Sequence, residues 1–203
     1  MGTRQTNGRA RLGTTVYSPA QTRILHAALD LFATHGVSGT SLQMIADALG
    51  VTKAAVYHRF KAKDDIVLAV TEAELCKLEE ALTVARAEND AVEARKLLVR
   101  RIIDLSVERK GFVRVLQNDP VVIRLLGEHA PFRAFMSELY ATLLDRDDDV
   151  EARISAAFFT AAIAGTTVSP FVDDIDADTL RATMIELTER MLKLAPLKGA
   201  RIR

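Results

Sequence analysis

Between Thr52 and Lys63 the chain gathers Thr52, Lys53, Ala55, Tyr57, His58, Arg59, Lys61 and Lys63 within twelve residues. Hydroxyls, imidazole and cations at this density suit phosphate oxygens, and a lysine or a methyl group presented to a base edge can read guanine O6/N7 or a thymine methyl. On a helix, Val56 and Phe60 are four residues apart and turn inward together, leaving the polar set on the other side. Thr52, Lys53 and Ala55 then stand near the helix start, where base edges are met. Tyr57, His58, Arg59, Lys61 and Lys63 fall where backbone phosphates fix the register.

Such a helix needs partners that hold it outward. The segment before it reads as a second helix, with Thr40 capping its start, Gln43 completing a capping box, and Leu42, Ile45, Ala46 and Leu49 as its apolar face. Gly50 occupies the left-handed position that ends a helix, and Thr52 caps the next. Two short helices around a glycine turn have the form of a helix-turn-helix. Thr40 and Ser41, beside the free N–H groups of their helix start, are further phosphate candidates. A third helix begins at Ser18, with Pro19 at its first position and Gln21 in another capping box, and ends at Gly36. Its stripe of Ile24, Leu25, Ala28, Leu31 and Phe32 supplies the cover a small helix pair requires. Residues 1–17 are expected to be a flexible basic arm whose Arg4, Arg9 and Arg11 fit either groove contacts or simple solubility.

The run Ala46, Gly50, Val51, Thr52, Val56, Tyr57, Phe60 and Lys63 resembles the DNA-binding motif of the TetR family of transcriptional regulators, which has the form A-x-x-x-G-V-[ST]-x-x-x-[IVL]-Y-x-[HY]-F-x-x-K. Arg59 departs from the His or Tyr common at its position and keeps a phosphate-binding group there. The likeness is specific over roughly residues 18–66 and architectural beyond. It implies an all-α fold in which an N-terminal three-helix module, 18–63, is followed by a helical regulatory body, 64–203, containing a ligand pocket and a dimer interface.

Composition is consistent with this. The 203 residues carry 27 basic and 27 acidic side chains, so net charge gives no sign of a nucleic-acid partner, but residues 1–63 hold eight basic against two acidic residues. A basic end on an acidic body suits phosphate contact at that end only. One cysteine, Cys76, allows no internal disulfide and points to a reducing cytoplasm; its Leu-rich surroundings favour a packed thiol over a redox sensor. The first eighteen residues lack the apolar centre of a secretory leader. Ile154–Val172 contains no charge, yet its Ser, Thr and Pro content favours a buried interface helix over a membrane span.

Beyond Lys63, helices are expected at about 64–87, 91–109, 112–118, 121–129, 132–145, 149–167 and 177–194, punctuated by Gly111, Pro120 and Pro131. No segment reads as a strand. Phe112, Leu116, Phe132, Phe135, Met136, Tyr140, Phe158 and Phe159 are core residues on the plain reading. The resemblance implies that they surround an unidentified small-molecule effector. Arg109, Arg114, Gln117, Arg124 and His129 are candidates to meet a polar group of such a ligand, although solvated helix faces account for most of them. The final two helices combine small residues (Ala152, Ala156, Ala157, Ala161, Ala164, Gly165) with bulky ones (Phe158, Leu180, Met184, Leu187, Met191), and the resemblance implies that they pair with their copies in a homodimer on palindromic double-stranded DNA.

The four histidines lack zinc-site spacing. The Asp174, Asp176, Asp178 alternation lacks the Gly and Glu of a calcium loop, having Thr179 and Ile185 instead, and is better suited to cap the last helix. No catalytic residues, metal or cofactor are expected. The implied function is a ligand-released, sequence-specific regulator, with repression as its mode. The alternative is a small-molecule-binding helical protein whose helix-turn-helix is vestigial.

Overall fold

A computed structural model describes residues 15–144, 150–192 and 194; the side chains of 151–153 and 156 are not among those described. Arg4, Arg9 and Arg11 of the expected arm therefore lie outside the described residues, as do the side chains of Ala152 and Ala156. Among the described residues all regular structure is helical: α1 (Pro19–Gly39), α2 (Leu42–Leu49), α3 (Lys53–Arg59), α4 (Lys63–Ala87), α5 (Ala91–Glu108), α6 (Lys110–Asn118), α7 (Pro120–Glu128), α8 (Ala130–Leu144), α9 (Val150–Thr167) and α10 (Ala177–Met191), with one 3₁₀ turn at Pro170–Val172.

The helix starts follow local chemistry. Ser18 accepts from the Gln21 N–H while the Gln21 side chain accepts from the Ser18 N–H, which is the expected capping box. Gly36, at φ 71°, breaks α1 where the sequence places its end, although three more helical residues follow. Asp176 caps α10 by accepting from Asp178 and Thr179, and these backbone bonds hold its carboxyl below the usual range. Gly111 lies inside α6; the break between α5 and α6 falls instead at Arg109.

One start differs from expectation. Ser41, not Thr40, caps α2, accepting from the Met44 N–H at 3.2 Å. Thr40 is only 2% exposed, and its hydroxyl donates to Gly36 O at 2.8 Å, closing the last turn of α1. Gln43 forms no capping box; it reaches forward to Asp47 at 2.7 Å.

A continuous apolar core runs from α1 through α10. Helix α1 packs against α2, α4 and α6, so it contacts both the short helix pair and the body. Within the body, α5 contacts α4, α8, α9 and α10, and α8 lies against α7 and α9. Helix α4, at 25 residues, is the longest and reaches from the helix pair into the body.

Candidate nucleic-acid interface and effector cavity

At the N-terminal end, Gly50 adopts φ 65° and closes α2, and Thr52 caps α3 by accepting from the Ala55 N–H at 3.2 Å. Val56 and Phe60 are buried, anchoring α3 by one face. Thr52, Lys53, Ala55, Tyr57, His58, Arg59 and Lys61 are all exposed on or beside that helix. Tyr57 is 52% exposed, and the Lys61 Nζ lies 5.1 Å from its ring centroid, so a cation–π contact orients both at the helix end. Ser41 is exposed at the start of α2. Two of the sequence candidates are occupied elsewhere. Thr40 is buried as described. Lys63, half-buried as the first residue of α4, donates from Nζ to Val37 O at 2.5 Å and to Thr40 O at 2.9 Å, satisfying carbonyls left open at the end of α1. An ammonium held by two carbonyls is a structural cap, unlike the exposed Lys53 and Lys61.

The peptide of Val37 is gripped from its other side as well. Its N–H donates to Asp119 Oδ2 at 2.7 Å, while Asp119 Oδ1 accepts from the Val121 and Val122 N–H groups and so caps α7. A Cβ at position 36 would lie 3.3 Å from the same Oδ2, so glycine there both supplies the positive φ and admits the carboxylate. One residue of the α1–α2 corner is thus held by the body through Asp119 and by α4 through Lys63. Sequence reasoning missed this role of Asp119; the Asp-Pro pair at a helix start marks the cap, but nothing local marks the use of its second oxygen.

In the body a half-open cavity of about 320 Å³ lies among α4 to α9. Phe112, Leu116, Phe132, Phe135, Met136 and Tyr140 line it, as do Leu75, Leu78, Ile102, Leu105, Leu126, Leu139 and Ala164. Gln117 also reaches the wall, with Ser106 and Thr160, which the sequence reading did not single out. Ser106 donates to Ile102 O at 2.8 Å, and Thr160 Oγ1 donates to the Tyr140 oxygen at 3.5 Å. Burial raises the Tyr140 phenol above its ordinary pKa, so it is neutral across physiological pH. Two expected members are absent from the wall. Phe158 is 69% exposed, because it lies on the outer face of α9, and Phe159, one residue on and buried, packs into the core beside the cavity. Arg109 is turned away to Glu74, 2.9 Å distant, and neither Arg124 nor His129 lines the cavity.

The outer faces of α9 and α10 expose Ile154, Phe158, Leu187 and Met191, whereas Leu180 and Met184 are buried within the chain. No described helix is long and apolar enough to cross a membrane, and no group of metal-ligating side chains is found among the described residues. Cys76 is half-buried and unpaired, with Sγ 3.1 Å from Ala73 O.

A capped helix-turn-helix with an exposed polar face, joined to an all-helical body with an internal cavity, defines a class of helical regulators. Residues 24–70 match the profile of the bacterial regulatory proteins of the tetR family. The HTH-type transcriptional regulator AcrR of Shigella flexneri is 36% identical over 112 residues, covering 46% of this chain and 52% of that protein. UidR of Escherichia coli strain K12 is 24% identical over 128 residues, 59% of this chain and 64% of its own length. The matches thus span between about half and two-thirds of these relatives. In fold, a bacterial regulatory protein in the tetR family from Rhodococcus RHA1 superimposes with a TM-score of 0.67 at 20% identity, covering 87% of this chain and 98% of that one. AibR, solved in complex with isovaleryl coenzyme A and operator DNA, does so at 0.60 and 21% identity, covering 83% and 97%. Residues 24–70 thus carry the DNA-binding domain of the tetR family of bacterial regulatory proteins, on a fold shared with a solved tetR-family regulator.

Proposed function

We propose that this protein is a cytoplasmic repressor that binds a palindromic operator as a homodimer and is released when a small-molecule effector occupies the central cavity. The observation that carries the reading is the exposed polar face of α3, anchored by Val56 and Phe60 and fixed by the Thr52 cap. Thr52, Lys53 and Ala55 read base edges, and Tyr57, His58, Arg59, Lys61 and Ser41 hold phosphates. Lys63 and Thr40 act one step back, keeping the helix pair seated on α1 and α4. Residues 18–63 form the DNA-binding unit and 64–203 the sensing and dimerising unit. The exposed apolar residues of α9 and α10 support pairing through these helices, since a two-fold dimer presents one recognition helix to each half-site. Release follows from the grip on Val37: α6 and α7 wall the cavity, and Asp119 between them holds the α1–α2 corner, so a ligand that displaces α7 alters how the helix pair sits.

Selection of bound duplexes from a random pool at near-physiological salt tests this. An enriched inverted repeat, with half-sites about one helical turn apart or slightly more, is the expected result. No enrichment from folded, ligand-free dimer would instead favour a small-molecule-binding protein with a vestigial helix-turn-helix.

A further inference from the structure

Taking the cavity as the effector site, as proposed above, its wall can be questioned about what it accepts. Among the described residues that line it, none is Asp, Glu, Lys, Arg or His. The polar groups present are neutral: the Ser106 hydroxyl, the Gln117 amide, and the Tyr140–Thr160 pair. Ser106 already spends its proton on Ile102 O, and Tyr140 accepts from Thr160, so the phenolic proton and the Gln117 amide are the donors suited to a ligand oxygen. A charged group brought here would lose its hydration and find no counter-ion among the described lining residues.

The wall is not equally closed on all sides. Ile123 lines the cavity and is nevertheless 53% exposed, and Gly127, one turn later on the same face of α7, is exposed with nothing beyond its chain neighbours and its own helix backbone within 4 Å of where its Cβ would stand. A lining helix that carries no side chain at its exposed turn leaves an opening there. The nearest charges on α7, Arg124 and Glu128, are 4.0 Å from each other and outside the wall.

We propose that the cavity takes an uncharged, predominantly apolar molecule bearing one hydrogen-bonding oxygen, and that this molecule enters past Ile123 and Gly127 on α7. The volume is at the small end of the range of about 300–1,000 Å³ in which small ligands bind, so the occupant is compact.

A matched set of probes tests both parts: 2-naphthalenemethanol, 2-naphthoate and 2-naphthylmethylammonium share one ring system and differ in charge at pH 7. Binding is read by titration calorimetry and by stopped-flow naphthalene fluorescence, on the full chain without DNA. The alcohol is expected to bind at least about 100-fold more tightly than either ion. Gly127→Trp is expected to slow its association at least about tenfold, and a circular-dichroism melt of the variant confirms that it is folded. Equal binding of an ion, or no binding of the alcohol to folded protein, overturns the ligand class. An unchanged association rate in folded Gly127→Trp overturns the entry route. Operator selection is independent of all these readings, so failure of the DNA-binding function and failure of this proposal are separately visible.

Discussion

On and beside α3 the side chains assigned to DNA are exposed and come from one run of ten residues, Thr52 to Lys61, whereas the cavity wall draws on residues from Leu75 to Ala164, spread over six helices. The first region presents chemistry outward and depends on a few local devices: two serine or threonine caps, one left-handed glycine, and two buried anchors. The second holds space inward and depends on packing among helices that meet only in the folded chain. Loss of one device should therefore displace the whole recognition face. Loss of one wall residue should reshape the cavity without abolishing it.

The largest effect expected from this contrast is that of Phe60→Ala. Truncating a buried aromatic removes its transfer energy and leaves a void, at a cost of about 3–5 kcal/mol. Urea titrations followed by circular dichroism give the stability, and operator affinity and 2-naphthalenemethanol affinity are measured alongside. Operator binding should fall far more than probe binding. Equal losses would mean that the two regions unfold as one unit and that the contrast is one of position only.

Asp119→Ala attacks the point where the regions meet. It removes the α7 cap, at about 1 kcal/mol, and leaves the Val37 N–H unpaired, at about 1–3 kcal/mol. Asp119→Asn keeps one acceptor oxygen and should recover part of this. Hydrogen exchange at the Val37 amide should accelerate in both variants. If it does not, the 2.7 Å contact contributes little, and coupling between cavity and helix pair must run through α4 or through the packing of α1 on α6.

Three lysines sharpen the contrast further. Lys63→Ala removes two charge-assisted bonds to carbonyls and should cost about 1.5–3 kcal/mol of stability, with little change in the salt dependence of DNA binding. Lys61→Ala, at an exposed position, should leave stability intact and reduce the salt slope by about 1. Lys53→Ala should cost about 1–3 kcal/mol at particular base pairs and almost nothing on random DNA. A Lys63 variant of unchanged stability but flattened salt dependence would return that residue to the phosphate-contacting set.

The same division explains what could be read from residue order. The caps at Ser18, Thr52 and Asp176 and the left-handed Gly36 and Gly50 are local devices, each specified by neighbours within four residues, so they are visible in a string of letters. Thr40 and Ser41 are both competent caps; what separates them is whether the α1 end is near enough to take up Thr40, which depends on the path of the chain at Gly36. Lys63 matches the family motif, yet its ammonium is occupied by carbonyls 23 and 26 residues away. Cavity residues are harder still. Phe158 and Phe159 are adjacent and chemically identical, and only the packing of α9 sends one outward and the other into the core. Six of the eight expected residues line the wall because helical period separates the inward face of α6 and α8 from the outward one; Gln117 was recognised only as a polar residue within reach, and Ser106 and Thr160 were invisible as isolated polar letters.

The smallest effect concerns Glu74, on the stretch of α4 between the two regions. Its side chain is only 8% exposed and lies 2.9 Å from Arg109 Nε. Burial raises its pKa above the ordinary carboxylate value despite the opposing attraction of Arg109, His26 and Lys77. The folded chain therefore holds this proton more tightly than the unfolded chain does, so the group favours folding below its unfolded pKa, and that contribution is lost as pH rises through the raised value. At neutral pH the ionised carboxylate is a net cost. Glu74→Gln should then raise Tm by roughly 1–3 °C at pH 7.5, the scale of a change under about 1 kcal/mol in a chain of this size. The gain should vanish near pH 4, where Glu74 is itself protonated. Thermal melts of both proteins from pH 4 to 8 decide it. A variant less stable at pH 7.5, with a deficit that closes on acidification, would show that the Arg109 bridge outweighs burial. In that case the Arg109 contact adds to the apolar packing that already fastens α4 to the body.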